Sequence, residues 1–176
     1  MRKVLYILGA LEDSDLQWLL DAGSRREIAG GERLIAEGEA HGDLFIVVDG
    51  ELSVSKLGHE IARLGAGEVV GDMSLLDSRP PVASVAATGA TTVYAVPHTV
   101  IRRHLAADAA FAARFYRALC IFLANRLSRT DAVLAAGSRP APQDESERDE
   151  LSPETLESLA LAGARFDWFL QQVRSA

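Results

Sequence analysis

Short apolar runs and glycine-containing turns alternate along the sequence from Arg26 to Val96. Leu44–Val48 is one apolar run, and the Asp49-Gly50 pair after it predicts a hairpin, because glycine accepts the positive φ that a two-residue connection requires. A second hairpin is predicted near Leu57-Gly58. Strands this short and evenly spaced are typical of an antiparallel roll or barrel. The predicted strands are Glu32–Ile35, Leu44–Val48, Glu51–Lys56, Ile61–Leu64, Val82–Ala87 and Thr91–Val96.

Residues 71–85, called the cassette below, read Gly-Asp-Met-Ser-Leu-Leu-Asp-Ser-Arg-Pro-Pro-Val-Ala-Ser-Val. This stretch resembles the phosphate-binding cassette of cyclic-nucleotide-binding domains. That motif reads roughly Gly-Glu-aliphatic-small-Leu-aliphatic, a short turn, and then Pro-Arg-small-small-Thr-Val. Asp72 stands where the family has Glu, and Pro81 stands where it has Arg. The residues that fit are Gly71, Met73, Ser74, Leu75, Leu76, Pro80, Ala83, Ser84 and Val85.

The resemblance implies a mainly β fold with flanking α-helices. Its centre is an antiparallel β-roll of the double-stranded β-helix or jelly-roll type. The implied domain spans residues 1–135 and includes N-terminal helices and a long helix over residues 109–134. Residues 4–22 are predicted to be helical, with Ser14 or Asp13 as a helix cap.

The resemblance also implies a pocket for a cyclic nucleotide. Family members hold the phosphate with backbone N–H groups and with two hydrogen bonds from an Arg. Pro81 has neither a guanidinium nor a backbone N–H, so we expect weak or no binding of cAMP and cGMP. The alternative is a true cAMP or cGMP sensor in which Arg79 and backbone N–H groups replace the missing Arg. The candidate pocket residues are Gly71, Asp72, Met73, Ser74, Arg79, Pro81 and Val82.

Composition favours a soluble cytoplasmic protein. No apolar run approaches the roughly 18–20 residues that a bilayer-spanning helix needs, so no membrane insertion is expected. The single cysteine, Cys120, excludes an internal disulfide, favours the cytoplasm and is expected to be a buried small hydrophobe. The net charge of −7 argues against a nucleic-acid-binding face.

The sequence contains no catalytic constellation, and we expect neither an enzyme nor a bound metal or cofactor. Ser74 and Ser84 lie in no nucleophile-elbow motif. The four histidines are scattered and lack the spacing of a cupin-type metal site. They are His41, His59, His98 and His104.

Helices are predicted after the strands. Pro97 begins a helix that breaks near Asp108 and resumes over residues 109–134. That helix is apolar almost all round near residues 118–123, so it needs cover on two sides. The expected cover is a second copy of the chain, in a homodimer, or the C-terminal segment.

The C-terminal segment divides into an acidic, proline-containing linker, residues 136–151, and a helix over residues 152–174. Phe166, Trp168 and Phe169 make this helix too apolar to remain exposed, so we expect it to dock. The candidate surfaces are the roll, the long helix and a second copy of the chain, and the place where a nucleotide base would lie is one of them. A single helix is too little for a helix-turn-helix module, which argues against direct DNA binding. The sequence therefore predicts a bacterial-type regulatory or interaction protein with an unidentified protein partner.

Overall fold

The computed structural model describes residues 9–77, 79–121 and 153–175, and side chains of the last helix from residue 161 to 174. The strands in these ranges are β1 (Ser24–Ile28), β2 (Arg33–Ile35), β3 (Asp43–Asp49), β4 (Glu51–Lys56), β5 (His59–Gly65), β6 (Val69–Val70), β7 (Ser84–Ala87) and β8 (Thr91–Pro97). The helices are α1 (Asp13–Ala22), α2 (Asp72–Leu76), α3 (His98–Ala107), α4 (residues 109–121) and α5 (Pro153–Ser175).

The strands form two antiparallel four-stranded sheets that pack face to face. One sheet has the order β1-β8-β3-β6 and the other has the order β2-β7-β4-β5. Alternate residues of β3, such as Phe45 and Val47, point between the sheets and pack with Leu52 and Val85. This arrangement confirms the predicted mainly β roll with flanking helices.

The other face of β3 packs against helices. Leu44, Ile46 and Val48 lie in a second apolar cluster together with residues of α1, α3, α4 and α5. Because both faces of this strand are covered, its sequence is apolar without interruption. Among the described residues, no helix is long and apolar enough to cross a membrane.

Helix α5 packs on this helical side of the roll. Phe166 and Phe169 are fully buried, and the Phe169 ring meets Tyr94 of β8 edge-on, with ring centroids 5.2 Å apart. Arg165 donates to the Leu11 carbonyl at 2.6 Å and to the Asp13 carboxylate at 2.8 Å. These contacts join α5 to the segment that begins α1.

Two turn predictions had different outcomes. The hairpin at Leu57-Gly58 is confirmed, because β4 and β5 pair antiparallel across it. The hairpin at Asp49-Gly50 was wrong, because β3 and β4 belong to different sheets. Gly50, at φ +85°, instead turns the chain from one sheet into the other, and a Cβ there would lie 2.7 Å from the Ala90 carbonyl oxygen.

Three smaller predictions also need correction. Helix α1 is capped at Glu12, whose backbone N–H donates to Asp15 at 2.8 Å, and not at Ser14 or Asp13. Strand β7 begins at Ser84 rather than Val82, after two prolines that cannot donate to a strand ladder.

Cys120 is exposed rather than buried. The buried side of α4 carries Phe111, Phe115, Ala118 and Leu119, and Cys120 lies off that stripe. Residues 122–134 of the predicted long helix and the linker at 136–151 lie outside the described residues.

Candidate functional site

The cassette begins at a glycine that no other residue could replace without strain. Gly71 has φ +89°, and a Cβ there would lie 2.4 Å from the Asp43 carbonyl oxygen and 2.9 Å from Cε1 of His41. The short helix α2 follows directly, and the Leu75 N–H donates to the Gly71 carbonyl at 3.2 Å. Gly71 therefore lets the cassette pass against the start of β3.

A pocket of about 190 Å³ lies between the cassette and the sheet that contains β4 and β5. Its walls are mostly aliphatic, and the described residues that line it include no Lys or Arg. His41 and Asp72 are the ionisable side chains among them. We call this the cassette pocket; it is lined by Ile35, His41, Val54, Ile61, Ala62, Leu64, Val69, Val70, Gly71, Asp72, Met73, Ser74, Pro81, Val82, Ala83 and Val85.

Six of the seven predicted pocket residues come together at this pocket, and Arg79 does not line it. The Arg79 Nε lies 2.5 Å from a carboxylate oxygen of Asp77, and the Arg79 side chain is 84% exposed. Pro81 lines the pocket, as the cassette alignment places it. The guanidinium nearest in sequence to Pro81 thus pairs with Asp77 and does not line the cassette pocket.

The second half of the cassette is held by the loop between β2 and β3. The Gly38 N–H donates to the Pro81 carbonyl at 2.9 Å, and the Glu37 N–H donates to the Ser84 hydroxyl at 2.9 Å. Because the Pro81 carbonyl is already an acceptor, the chain at this position is fixed even without a proline N–H. The sequence carried no signal for this attachment.

Two histidines that appear scattered in the sequence meet beside the cassette. The ring centroids of His41 and His98 are 5.2 Å apart, and His98 is 3% exposed. Burial, with the nearby positive charges of His41 and Arg102, lowers the pKa of His98 to about 4. Burial also lowers the pKa of His41, although Asp43 and Asp72 act in the opposite direction. Both rings are therefore neutral at pH 7.

Arg102 of α3 holds the far end of the cassette helix. Its Nη2 donates to the carbonyl oxygens of Ser74 at 2.9 Å and Leu75 at 3.1 Å. These carbonyls lie at the C-terminal end of a helix, where backbone acceptors lack helical partners. Arg102 thus couples α3 to α2. In the part of the chain that the structure describes, no three His, Cys, Asp or Glu side chains are grouped as metal ligands.

Helix α5 does not cover the pocket in the way the sequence suggested. It packs on the helical side of the sheet that contains β3 and β8, and none of its described side chains lines the cassette pocket. Phe166 and Phe169 are buried there in the same apolar cluster as Tyr94 and Leu16, and Trp168 is partly buried against it.

The sequence is similar to that of known nucleotide-regulated proteins. Residues 25–108 match the cyclic nucleotide-binding domain family. A cAMP-dependent protein kinase regulatory subunit from Mycosarcoma maydis is 39% identical over 75 residues, which are 40% of this chain and 14% of that protein. The chain therefore spans a small part of the curated relatives that it matches.

Solved structures give the same fold. The N-terminal domain of a transcriptional regulator from Streptomyces coelicolor A3(2) has a TM-score of 0.60 at 27% identity, covering 73% of this chain and 95% of that one. A cyclic nucleotide-binding domain from Methylobacillus flagellatus KT has a TM-score of 0.68 at 22% identity, covering 80% and 85%, and supports the fold alone. Residues 25–108 of this chain thus have the sequence pattern of a cyclic nucleotide-binding domain, and they fold as one.

Proposed function

We propose that the chain is a non-enzymatic regulatory protein whose cassette pocket binds cyclic nucleotides weakly or not at all, and which acts through protein contacts. The observation that carries the proposal is Pro81, which lines the pocket where the family motif has Arg. A charged hydrogen-bond partner contributes about 1.5–3 kcal/mol. Its loss weakens phosphate binding by about one to two orders of magnitude.

The placement of Arg79 argues against the alternative of a true sensor. Its guanidinium is paired with Asp77 through Nε, its side chain is exposed, and it does not line the cassette pocket. The aliphatic walls and the buried carboxylate of Asp72 offer a phosphodiester no compensating positive charge.

The proposed contact surface with a second copy of the chain is the exposed side of α4. Tyr116 is 46% exposed and Ile121 is 37% exposed, although both are large apolar side chains. Cys120 lies between them in sequence and is also exposed. We assign the chain to the cytoplasm, where this thiol stays reduced.

Calorimetric titration with cAMP and cGMP tests the proposal, since a relative is named as a cAMP-dependent regulatory subunit. We expect little heat from the native chain at millimolar nucleotide. Pro81→Arg should raise the affinity by about tenfold or more, because it restores a bidentate contact. Pro81→Ala is the matched control for loss of the proline ring and should give no gain.

Arg79→Ala separates the two functions. If the native chain binds cAMP with low-micromolar affinity, the proposal is wrong. If Arg79→Ala then abolishes that binding, the chain is a sensor that uses Arg79. Light scattering at tens of micromolar protein tests the dimer, and a monomer there removes the α4 contact from the proposal.

A further inference from the structure

A second cavity, of about 180 Å³, lies between the cassette and α3. We call it the outer cavity; its described lining residues are Ala40, His41, Gly42, Ser74, Arg79, His98, Thr99 and Arg102. His41 and Ser74 border both cavities. Two arginines and two histidines thus converge on a space large enough for a phosphate-sized group.

We propose that the outer cavity binds a phosphate-type oxyanion, held by Arg79 and Arg102 and completed by His98. This site goes beyond the function proposed above, because Arg79, Arg102 and His98 do not line the cassette pocket. Its ligand is the phosphoryl group itself, either free phosphate or a phosphomonoester.

The charge of Arg102 favours an anion. Within the described ranges, its hydrogen bonds all go to the backbone carbonyls of Ser74 and Leu75, and it forms no ion pair with a carboxylate. A guanidinium has five N–H donors, so Arg102 retains donors on Nη1 after holding the cassette helix. Arg79 uses its Nε for Asp77 and likewise retains both terminal nitrogens as donors.

The second observation is the buried histidine. His98 is 3% exposed, and its Nε2 has no hydrogen-bond partner among the described residues. The ring is also hydrogen-bonded to the backbone of Gly71, which leaves Nε2 as the available atom. Nδ1 of His41, whose ring lies beside that of His98, is also buried and has no hydrogen-bond partner in the part of the chain that the structure describes. Buried polar atoms without partners are rare, and a bound oxyanion would satisfy them once a ring is protonated.

A divalent cation fits this cavity less well than an anion does. Two imidazoles could begin a metal site, but Arg79 and Arg102 repel a cation, and no third ligand group joins the histidines within the described residues. The carboxylates nearby are already compensated in two cases: Asp43 lies 3.7 Å from Arg26, and Asp77 pairs with Arg79. Asp72 also acts on His41, where its charge favours protonation of the ring.

Proton uptake should accompany binding. Nε2 of a neutral His98 ring that donates through its other nitrogen is an acceptor, and it becomes a donor to an oxyanion after protonation. Asp43 and Asp72 are the carboxylates that favour protonation of the two rings, whereas burial, a charge on His41 and the charge of Arg102 oppose protonation of His98. An anion bound beside Arg102 offsets its positive charge and favours protonation of His98, so the affinity for the oxyanion should rise as the pH falls.

The test is a titration of the full chain with inorganic phosphate, followed by NMR of the imidazole nitrogens and by calorimetry. We expect phosphate to shift the His98 and His41 signals and to bind more tightly at about pH 5.5 than at about pH 7.5. Arg79→Gln should weaken binding by about tenfold, because one charged contact is removed. Arg63→Gln, which changes an exposed arginine on β5, is the matched control and should bind as the native chain does.

Arg102→Gln should abolish binding but also loosens the cassette helix, so Arg79→Gln and His98→Gln carry the decision. His98→Gln should lose the tighter binding of phosphate at about pH 5.5 that the native chain shows. The same titration with phosphoserine distinguishes the sources: the tighter of the two ligands identifies free phosphate or a phosphomonoester.

Three results would overturn the site. The first is no shift at His98, and the second is an equal effect of Arg79→Gln and Arg63→Gln. The third is competition by cAMP together with a gain of phosphate binding in Pro81→Arg, which would assign the phosphate to the cassette pocket. If phosphate binding survives unchanged in Pro81→Arg, the outer cavity stands whether or not the cassette pocket binds nucleotide.

Discussion

Replacing Phe169 with alanine removes one of the buried side chains by which α5 packs against the sheet. Phe169 is 0% exposed, and its ring meets Tyr94 edge-on at 5.2 Å with the ring planes 83° apart. Replacing a buried phenylalanine by alanine costs about 3–5 kcal/mol through lost burial and the cavity left behind. The aromatic pair accounts for about 0.5–1.5 kcal/mol beyond the buried area. A domain of ordinary stability, about 5–15 kcal/mol, loses a large fraction of its stability.

Urea unfolding followed by circular dichroism and by tryptophan fluorescence measures this loss. The matched control is Leu161→Ala on the same helix, because Leu161 is 50% exposed. That control should change the free energy of unfolding by no more than about 0.5 kcal/mol. If Phe169→Ala costs no more than the control does, α5 contributes nothing to the fold, and its packing against the roll is refuted. A smaller slope (m value) of the free energy of unfolding against urea concentration in Phe169→Ala would instead mean that α5 detaches before the roll unfolds.

Three further predictions follow from single side chains. Asp15→Asn should lower the free energy of unfolding by about 2–3 kcal/mol in urea, because the buried carboxylate accepts from Arg114 at 2.7 and 2.8 Å. Gly71→Ala should lower the melting temperature more than Gly58→Ala does, because both have positive φ but only Gly71 would place a Cβ against other atoms; equal losses would refute the close approach. In buffers without phosphate or sulfate, the free energy of unfolding of the native chain should fall as the pH drops from about 6.5 to about 4. In this range the histidine is protonated in the unfolded state, whereas buried His98, whose pKa is lowered to about 4, stays neutral in the folded state. The fall should be smaller in His98→Gln.

The cassette and the β-roll could be predicted because both depend on local sequence. The apolar run of β3 and the turn at Leu57-Gly58 each specify structure within a few residues of themselves. The Asp49-Gly50 pair gave the right turn residue and the wrong topology, because a glycine with positive φ fits a hairpin and a crossing between sheets equally well. Which of the two forms depends on partners elsewhere in the chain.

The helical predictions failed where two faces of a helix had to be told apart. Apolar residues surround α4 near its described end, and the sequence could not say which of them the roll covers. The structure buries Ala118 and Leu119 and leaves Cys120 and Ile121 exposed. The docking surface of α5 stayed open for the same reason, since apolar residues indicate burial without identifying the surface that provides it.

The pairing of His41 with His98 shows what would have been needed to find the outer cavity from sequence. Strands β3 and β8 are antiparallel neighbours, and their register places Asp43 opposite Pro97. In that register, the residue after Pro97 lies beside the residues that precede Asp43, and the His98 N–H donates to the Gly42 carbonyl at 2.7 Å. A shift of one residue would turn the side chains of β8 to the opposite face and separate the rings. The two histidines are therefore brought together by the register of β3 and β8, which is set by burial of these strands on both faces. The spacing of the histidines in the sequence contains no information about this register, and for that reason the sequence alone did not predict the pair.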